Sequence, residues 1–328
     1  TDLATLHRLS LRNRKVLDKL DHGSMRLQAP AHKIMHWKNR NTRTGSMKNI
    51  SAHYDIGNDL FRLFLDDTMM YSSAYYEKPE TDLAQAAVAK LELVCRKLQL
   101  DANDHLLEIG TGWGGLAIHA APFYGCKVTT TTISEDQDRL ATEKVRNEGL
   151  EDRITVIKQD YRDLNGEYDK LVSIEMIEAI GHQYMDTYFK KCSSLLKANG
   201  MMLIQAITIR EQLYENALKD VDFIKKYIFP GGFLPSVSAM SESIGKHTDM
   251  KLFHLQDIGP HYAKTLQHWR ENFFNKLEDI RGLGYSEEFI RLWEYYFCYC
   301  EGGFLERDIG TVQMLLTRPE NRRSPVML

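Results

Sequence analysis

No stretch of this 328-residue sequence stays apolar for the roughly 18 residues that a bilayer-crossing helix requires, which argues against an integral membrane protein. Cysteine is sparse and unpatterned: Cys95, Cys126, Cys192, Cys298 and Cys300 are odd in number and lack metal-site spacing. They read as reduced thiols in a cytosolic protein, with no disulfide scaffold and no metal centre. Collagen, coiled-coil and disordered-tail compositions are excluded as well. The opening TDLATLHRLSLRNRK alternates charge with leucine where a signal peptide would be apolar, and Thr1 in place of methionine points to a processed or trimmed start. What is present is an ordinary globular mixture, 43% hydrophobic and 27% charged, long enough for one large domain or two ordinary ones.

Acidic residues are scarce only at the start. The first 50 residues hold 11 Lys and Arg against 3 Asp and Glu, and the rest hold 31 against 42, so a net charge of −3 hides a basic arm on an acidic body. Such an arm calls for an anionic partner, and both nucleic acid and anionic lipid headgroups qualify. Leu6, Leu9, Val16, Leu17 and Leu20 recur at roughly helical spacing among Arg8, Arg12, Arg14, Lys15 and Lys19. A cap helix packed on the body and a helix at a membrane interface are both compatible with this pattern; lipid is the expected partner, and nucleic acid is not. A second basic stretch, 32–48, includes Trp37.

From residue 84 the pattern becomes regular. A helix over 83–98 precedes a short apolar strand, 105–109. Helices are expected over 116–123, 135–147 and 185–196, and strands over 127–133, 154–159, 171–174 and 201–208. Strands alternating with helices at this pitch predict an α/β protein with a doubly wound parallel sheet. Residues 209–305 break the alternation: they are mainly helical, aromatic, and interrupted by IFPGGFLP at 228–235. Strands return near 251–258 and 311–317. The expected organisation is a basic N-terminal helical arm and cap, 1–82, and a catalytic domain, 83–328, whose helical insertion at about 209–305 covers the carboxyl ends of the strands.

The turn after the first strand reads Glu108-Ile109-Gly110-Thr111-Gly112-Trp113-Gly114-Gly115. Its glycines satisfy G-x-G-x-x-G, a pattern compatible with a dinucleotide. Glu108 shifts the balance, because a carboxylate in this turn repels pyrophosphate but suits the cationic amino group of S-adenosylmethionine, or a network around it. The next strand, TTTTIS, also ends without the acidic residue that grips a dinucleotide ribose; Gln137 is the candidate for the ribose hydroxyls instead. Asp160 and Tyr161, at the end of the third strand, are candidates for the edge and face of an adenine.

Seven segments together resemble the cyclopropane-fatty-acyl-phospholipid synthase family of S-adenosylmethionine-dependent methyltransferases. They are HYDIGNDLFRLFLDDTMMYSSAYY (53–76), LEIGTGWGG (107–115), TTTTISEDQ (129–137), QDYRDL (159–164), SIEMIEAIGH (173–182), YIFPGGFLPS (227–236) and EYYFCYCEGGFLERDIGTVQMLLTRP (294–319). The resemblance covers roughly residues 50–320. It implies a seven-stranded Rossmann-like methyltransferase sheet and methylation of the double bond of an unsaturated acyl chain in a phospholipid or related lipid. With the unpatterned cysteines and the basic arm, the expectation is a cytoplasmic enzyme peripherally associated with the inner membrane surface, and a homodimer is left open. By the same resemblance Tyr71, Ser72, Glu108, Gly110, Thr111, Gly112, Gly114, Thr132, Ile133, Gln137, Tyr161 and Arg162 contact the cofactor. Ser73, Glu178, Gln205 and Tyr296 match the ligands of a bicarbonate ion that acts as base, and Cys300 matches a family cysteine once viewed as a catalytic candidate, although in a helix of aromatics a buried apolar thiol is the preferred reading. The chain departs from the pattern with Ser73 in place of Cys, Gln205 in place of His, and Ala179 in place of the His that commonly follows the Glu.

These residue types suit the chemistry. An alkene is a poor nucleophile, so reaction needs close approach to the sulfonium methyl and exclusion of water. Aromatic faces such as Tyr71 and Tyr296 stabilise a cationic intermediate by about 1–2 kcal/mol per ring when dry. If a base takes a proton from the new methyl, a cyclopropane forms; if the proton leaves elsewhere, or a hydride is added later, a methylene or methyl branch results. His53 and His182 are further candidate bases. A small-molecule amine N-methyltransferase is the competing enzyme reading, and a lipid-binding protein with a surviving cofactor site is the non-enzymatic one.

Overall fold

The computed structural model describes residues 2–14, 16, 45 and 56–324. Trp37, His53, Lys15 and nearly all of the second basic stretch lie outside the described residues. In chain order the elements are α1 (Leu3–Arg12), α2 (Asn58–Phe64), α3 (Leu83–Leu98), β1 (His105–Ile109), α4 (Gly115–Tyr124), β2 (Lys127–Thr132), α5 (Glu135–Asn147), β3 (Ile154–Lys158), β4 (Tyr168–Ile174), α6 (Met185–Ser194), β5 (Leu196–Ile209), α7 (Glu211–Lys219), α8 (Val237–His247), β6 (Lys251–Asp257), α9 (Gly259–Asn275), α10 (Leu277–Gly282), α11 (Glu287–Leu305) and β7 (Ile309–Thr317). A π-helical turn, Ile224–Ile228, follows α7.

The seven strands form one sheet in the order β3-β2-β1-β4-β5-β7-β6. β1 to β5 are mutually parallel, and their buried runs, such as Leu106–Ile109 and Met201–Ala206, are what a sheet covered on both faces requires. The sheet is not wholly parallel: β7 runs antiparallel to both its neighbours. The reason is where the chain stands after the last helices. β6 delivers it to the carboxyl edge, α9 and α11 pack on each other, and β7 then starts with Ile309 paired to Ile209, the last residue of β5. A strand that begins at that edge must run back down.

The expected insertion at 209–305 is therefore two pieces, 210–250 and 258–308, separated by β6. The expected cap is also more integrated than its boundary suggested. α2 packs against α9 and α10, with Asn272 Nδ2 donating to Phe64 O at 3.0 Å, and α1 packs along α11. Phe61, Phe64, Trp269, Phe273, Trp293 and Phe297 form an aromatic cluster between these helices, largely in edge-to-face contacts at 5–6.5 Å. Truncating one such ring to Ala typically costs about 3–5 kcal/mol.

α3 covers the sheet with Leu91, Val94, Cys95 and Leu98. Asp82 caps its start by accepting from Gln85 N at 2.8 Å, and Gln99 ends it in the left-handed region. Two of its lysines, Lys90 and Lys97, lie on the buried side with relative exposures of 0% and 1%.

Candidate active site

One cavity of about 610 Å³ runs from the glycine turn, past Glu175 and Glu178, to Leu11 and Arg14 near α1. Its walls over the carboxyl ends of the strands include Phe229, Pro230, Phe233 and Leu234 of the IFPGGFLP segment, which Phe233 N anchors by donating to Glu178 O at 3.0 Å.

At the glycine end, the N–H groups of Gly110 and Thr111 both donate to Thr131 O at 3.0 Å, fixing the turn to β2. Gly112 has φ 53°, and an added Cβ would point into open space, so the backbone itself forms the cavity wall there. Gly115 is needed for a different reason: a Cβ on it would lie 2.6 Å from Thr68 O, where the Asp66–Tyr71 loop crosses the start of α4. Beneath the turn, Thr130 donates to Glu108 Oε2 at 2.6 Å, and Thr111 therefore donates to Thr130, also at 2.6 Å. Burial pushes the Glu108 carboxyl up to about 8, against the Thr130 hydrogen bond and the Lys90 charge. Glu108 thus belongs to the network that supports the turn.

Gln137 sits in the first turn of α5, behind the Ser134 cap, and its Oε1 accepts from Thr132 at 2.7 Å. Thr132, Ile133, Tyr161 and Arg162 line the same end, as do Tyr71 and Ser72. Asp160 lines the cavity here, and its carboxylate accepts from Arg162 Nε at 2.8 Å and Nη2 at 2.6 Å, which fixes the arginine beside it. That arginine lies over the rings of Tyr161 and Tyr184. Tyr161 itself is buried edge-on to Tyr188 at 5.4 Å.

The other end is organised by a residue that the sequence reading passed over. Glu175, at the end of β4 in left-handed backbone (φ 50°), accepts from Ser73 N at 3.0 Å and Gln205 Nε2 at 2.8 Å on Oε1, and from the Tyr262 hydroxyl at 2.8 Å on Oε2. Glu178 accepts from Ile207 N at 2.5 Å on Oε1, while its Oε2 is shielded from solvent and has no hydrogen-bond partner among the described residues. Burial pushes Glu178 up to about 8, and the neighbouring Glu175 adds to the rise. Glu175 is also raised by burial, but its three donors and Lys90 oppose this. The pair is therefore unequal: Glu175 is the member whose three donors favour a carboxylate, and Glu178, with one oxygen unpartnered, is the member on which a proton is favoured.

The donor set expected for bicarbonate is largely engaged. Ser73 N and Gln205 Nε2 point at Glu175, the Ser73 hydroxyl donates to Ala74 O at 3.0 Å, and the Tyr296 hydroxyl shares a 2.9 Å hydrogen bond with Tyr71. With Ser73 N and Gln205 Nε2 turned to Glu175 and the two hydroxyls paired elsewhere, this arrangement holds no open cradle for a second anion. Cys300 lines the cavity, and burial pushes its thiol well above its usual range, so it stays protonated. His182 packs edge-on to Phe233 and is not part of the cavity wall. The signal that could have found Glu175 was its place in SIEMIEAIGH, three residues before Glu178.

A second buried polar group lies behind the pocket. Lys90 donates to Ser72 Oγ at 3.0 Å, and its charge acts on Glu175, Asp66 and Glu108. Burial pushes this ammonium down to about 8. Among the described residues no group of His, Cys, Asp and Glu could hold a metal ion.

The family described as mycolic acid cyclopropane synthetase matches residues 41–314. The chain belongs to this family. Its members similar to the chain include a cyclopropane-fatty-acyl-phospholipid synthase of Escherichia coli K12, 41% identical over 81% of this chain and 66% of that protein. A tuberculostearic acid methyltransferase of Mycobacterium tuberculosis is 39% identical over 84% of this chain and 66% of its own length. The chain thus spans just under two thirds of these curated relatives. A crystal structure of a mycolic acid cyclopropane synthase complexed with SAH and CTAB superposes with a TM-score of 0.74 at 31% identity, covering 83% of this chain and 98% of that one. The seven-stranded methyltransferase sheet is thereby established; that neighbour is complexed with SAH, and the open wall at Gly112, the supported turn and Gln137 of this chain fit a ligand of that kind.

Proposed function

We propose that the chain is an S-adenosylmethionine-dependent methyltransferase acting on the cis double bond of an unsaturated acyl chain in a phospholipid. The observation that carries this reading is the cavity, which joins the glycine turn to an apolar passage with a buried carboxyl pair between them. When bound, S-adenosylmethionine supplies an electrophilic methyl group. The protein excludes water and presents aromatic rings to the substrate cation. Tyr71 lies 5.2 Å from Trp269 and 6.5 Å from Phe229, which lies 6.2 Å from Tyr296. Each dry ring contributes about 1–2 kcal/mol to a nearby cation.

The alkene gains CH3 and then loses a proton, for a net gain of CH2. Glu175, ionised and fixed by three donors, is the base; Glu178 beside it is neutral and adds no second charge. The proton comes from the transferred methyl. If the freed electron pair closes on the cationic carbon, a ring forms; if a hydride has first shifted from the methylated carbon, a methylene forms.

The membrane-facing surface we propose lies around α1, where Leu6 and Leu9 are about half exposed, together with exposed Tyr227 beyond α7 and Tyr295 on α11. Among the described residues no helix is long and apolar enough to cross a membrane. Arg8 and Arg12 both pair with Glu306 at 2.7 Å, and Arg14 pairs with Asp308 at 3.0 Å, so part of the arm's charge binds the body and positions the helix.

The test is incubation of the protein with labelled S-adenosylmethionine and vesicles of dioleoyl phosphatidylglycerol, followed by mass spectrometry of the lipid. A labelled acyl chain heavier by one CH2 is expected, and its resistance to hydrogenation separates ring from methylene. Label found only on small amines, with vesicles left unmodified, would overturn the lipid assignment.

A further inference from the structure

Three glutamines occupy one rung of the sheet. Gln205 of β5 stands opposite Gln313 of β7, which stands opposite Gln256 of β6. Gln205 and Gln313 are wholly buried, at 0% exposure, in strands that are otherwise apolar there. Lys97 of α3 meets this rung from the helix side. Its Nζ donates to Gln256 Oε1 at 2.5 Å and to Gln313 Oε1 at 2.7 Å. Gln313 Nε2 donates to Gln205 Oε1 at 2.9 Å, and Gln205 Nε2 donates to Glu175 Oε1 at 2.8 Å. A continuous hydrogen-bond chain therefore joins a buried lysine to the carboxylate at the cavity.

The direction of that chain is forced from one end. An ammonium has donors and no acceptor, so the amide oxygen of Gln313 must face Lys97. Its NH2 must then face Gln205, whose oxygen is consumed, and the NH2 of Gln205 is left for Glu175. Without the lysine both amides are free to flip. A flipped Gln205 would present oxygen to Glu175, and only a protonated carboxyl can bond to oxygen. A buried ammonium satisfied by neutral amides is a costly feature that packing alone does not require.

We propose that Lys97 and Gln313 are positioning residues for the reaction: they lock the amide of Gln205 in its donor orientation and so keep Glu175 ionised as the base. The inference rests on the reading of Glu175 as base. The other groups facing Glu175 are Ser73 N, the Tyr262 hydroxyl, the Lys90 ammonium and Glu178. Those around Lys97 are Gln256, His254 and Arg323, whose Nη1 donates to the Lys97 backbone oxygen. Burial pushes Lys97 down to about 7. The lock therefore weakens above that pH, where the neutral amine can also accept.

The experiment is the pH profile of kcat/KM on dioleoyl phosphatidylglycerol vesicles for the whole protein and its variants. Lys97→Met is expected to move the acid limb up by about one pH unit, because Glu175 loses a donor to its charged form. Gln313→Glu keeps an acceptor for Lys97 but has no NH2 for Gln205; it draws the Gln205 amide toward itself and is expected to move the limb the same way. It serves where Lys97→Met folds poorly. Lys97→Arg, which still donates, leaves the limb in place. A uniform loss of rate with an unmoved limb in Lys97→Met and Gln313→Glu would overturn the inference. Glu175→Gln distinguishes the two levels: if that variant turns over normally, the base assignment itself has failed; if it is inactive while the limbs stay put, only the lock has failed.

Discussion

The two ends of the cavity solve their problems with different parts of the chain. The donor end is built from backbone and short-range contacts: the glycine turn, the Thr130–Thr111 pair beneath it, and Gln137 one helical turn into α5 all lie within a 30-residue βαβ unit. The Glu175 end, proposed to hold the base, is built from side chains that meet only in the fold. Ser73, Glu175, Gln205 and Tyr262 come from four separate segments, and Lys90 approaches from a fifth. A local site tolerates variation elsewhere, whereas an assembled one fails when any contributor moves.

The largest effect expected from this contrast is at Glu175. Glu175→Gln should lower turnover by about 10²–10⁴-fold, the usual contribution of a positioned base, while calorimetry finds cofactor affinity close to wild type. Gly112→Val should do the reverse. Its side chain fills the open wall and the residue is strained at φ 53°, so cofactor binding should fall by at least about tenfold, with the fold intact by circular dichroism. Retained binding would remove the glycine turn from the donor site. The contrast breaks if either variant damages both ends equally.

Glu178→Gln probes the neutral member of the pair, and its signature is in stability. Glu178 is raised to about 8, so the folded state keeps a proton that the unfolded chain releases near the ordinary carboxyl value. Wild-type stability should therefore fall as pH rises from about 5 to 8 and then level off, and the amide variant should show a shallower fall, keeping only the share of groups such as Glu108 that are raised in the same way. The gap should reach the order of a few kcal/mol by pH 8, read from denaturation midpoints. Equal slopes would mean that Glu178 is already ionised in the folded protein. The smallest effect concerns the arm. Reversing Arg8, Arg12 and Arg14 together removes both arginine partners of Glu306 and leaves Asp308 with Arg210 alone, and should weaken vesicle sedimentation mainly at low salt. Unchanged sedimentation would leave α1 as a cap only.

Legibility in the sequence follows the same division. The βαβ pitch, the glycine turn and Gln137 were readable because periodicity and spacing are local properties. The reversal of β7 was not, since strand direction depends on which edge the chain occupies after α11. Lys90 and Lys97 sit inside AQAAVAKLELVCRKL, where lysines at helical spacing read as a solvated face; their burial depends on carboxylates and amides contributed by distant segments. Gln205 was read as a match to a bicarbonate ligand, standing where relatives have histidine. Its meaning emerges when Gln313, more than 100 residues later, is placed opposite it. Asp160 was legible as a cavity residue from its place at a strand end, whereas its pairing with Arg162, two residues on, was not.

The insertion of β7 between β5 and β6 also sets an order of maturation. During synthesis the glycine turn and its supporting threonines are complete by residue 137, long before the ribosome reaches Gln313. Until that last strand slides into its slot, β6 has no neighbour, and nothing aligns the amide of Gln205. A nascent chain can thus form its glycine turn early, while the Glu175 end of the cavity is assembled only after β7 has been made.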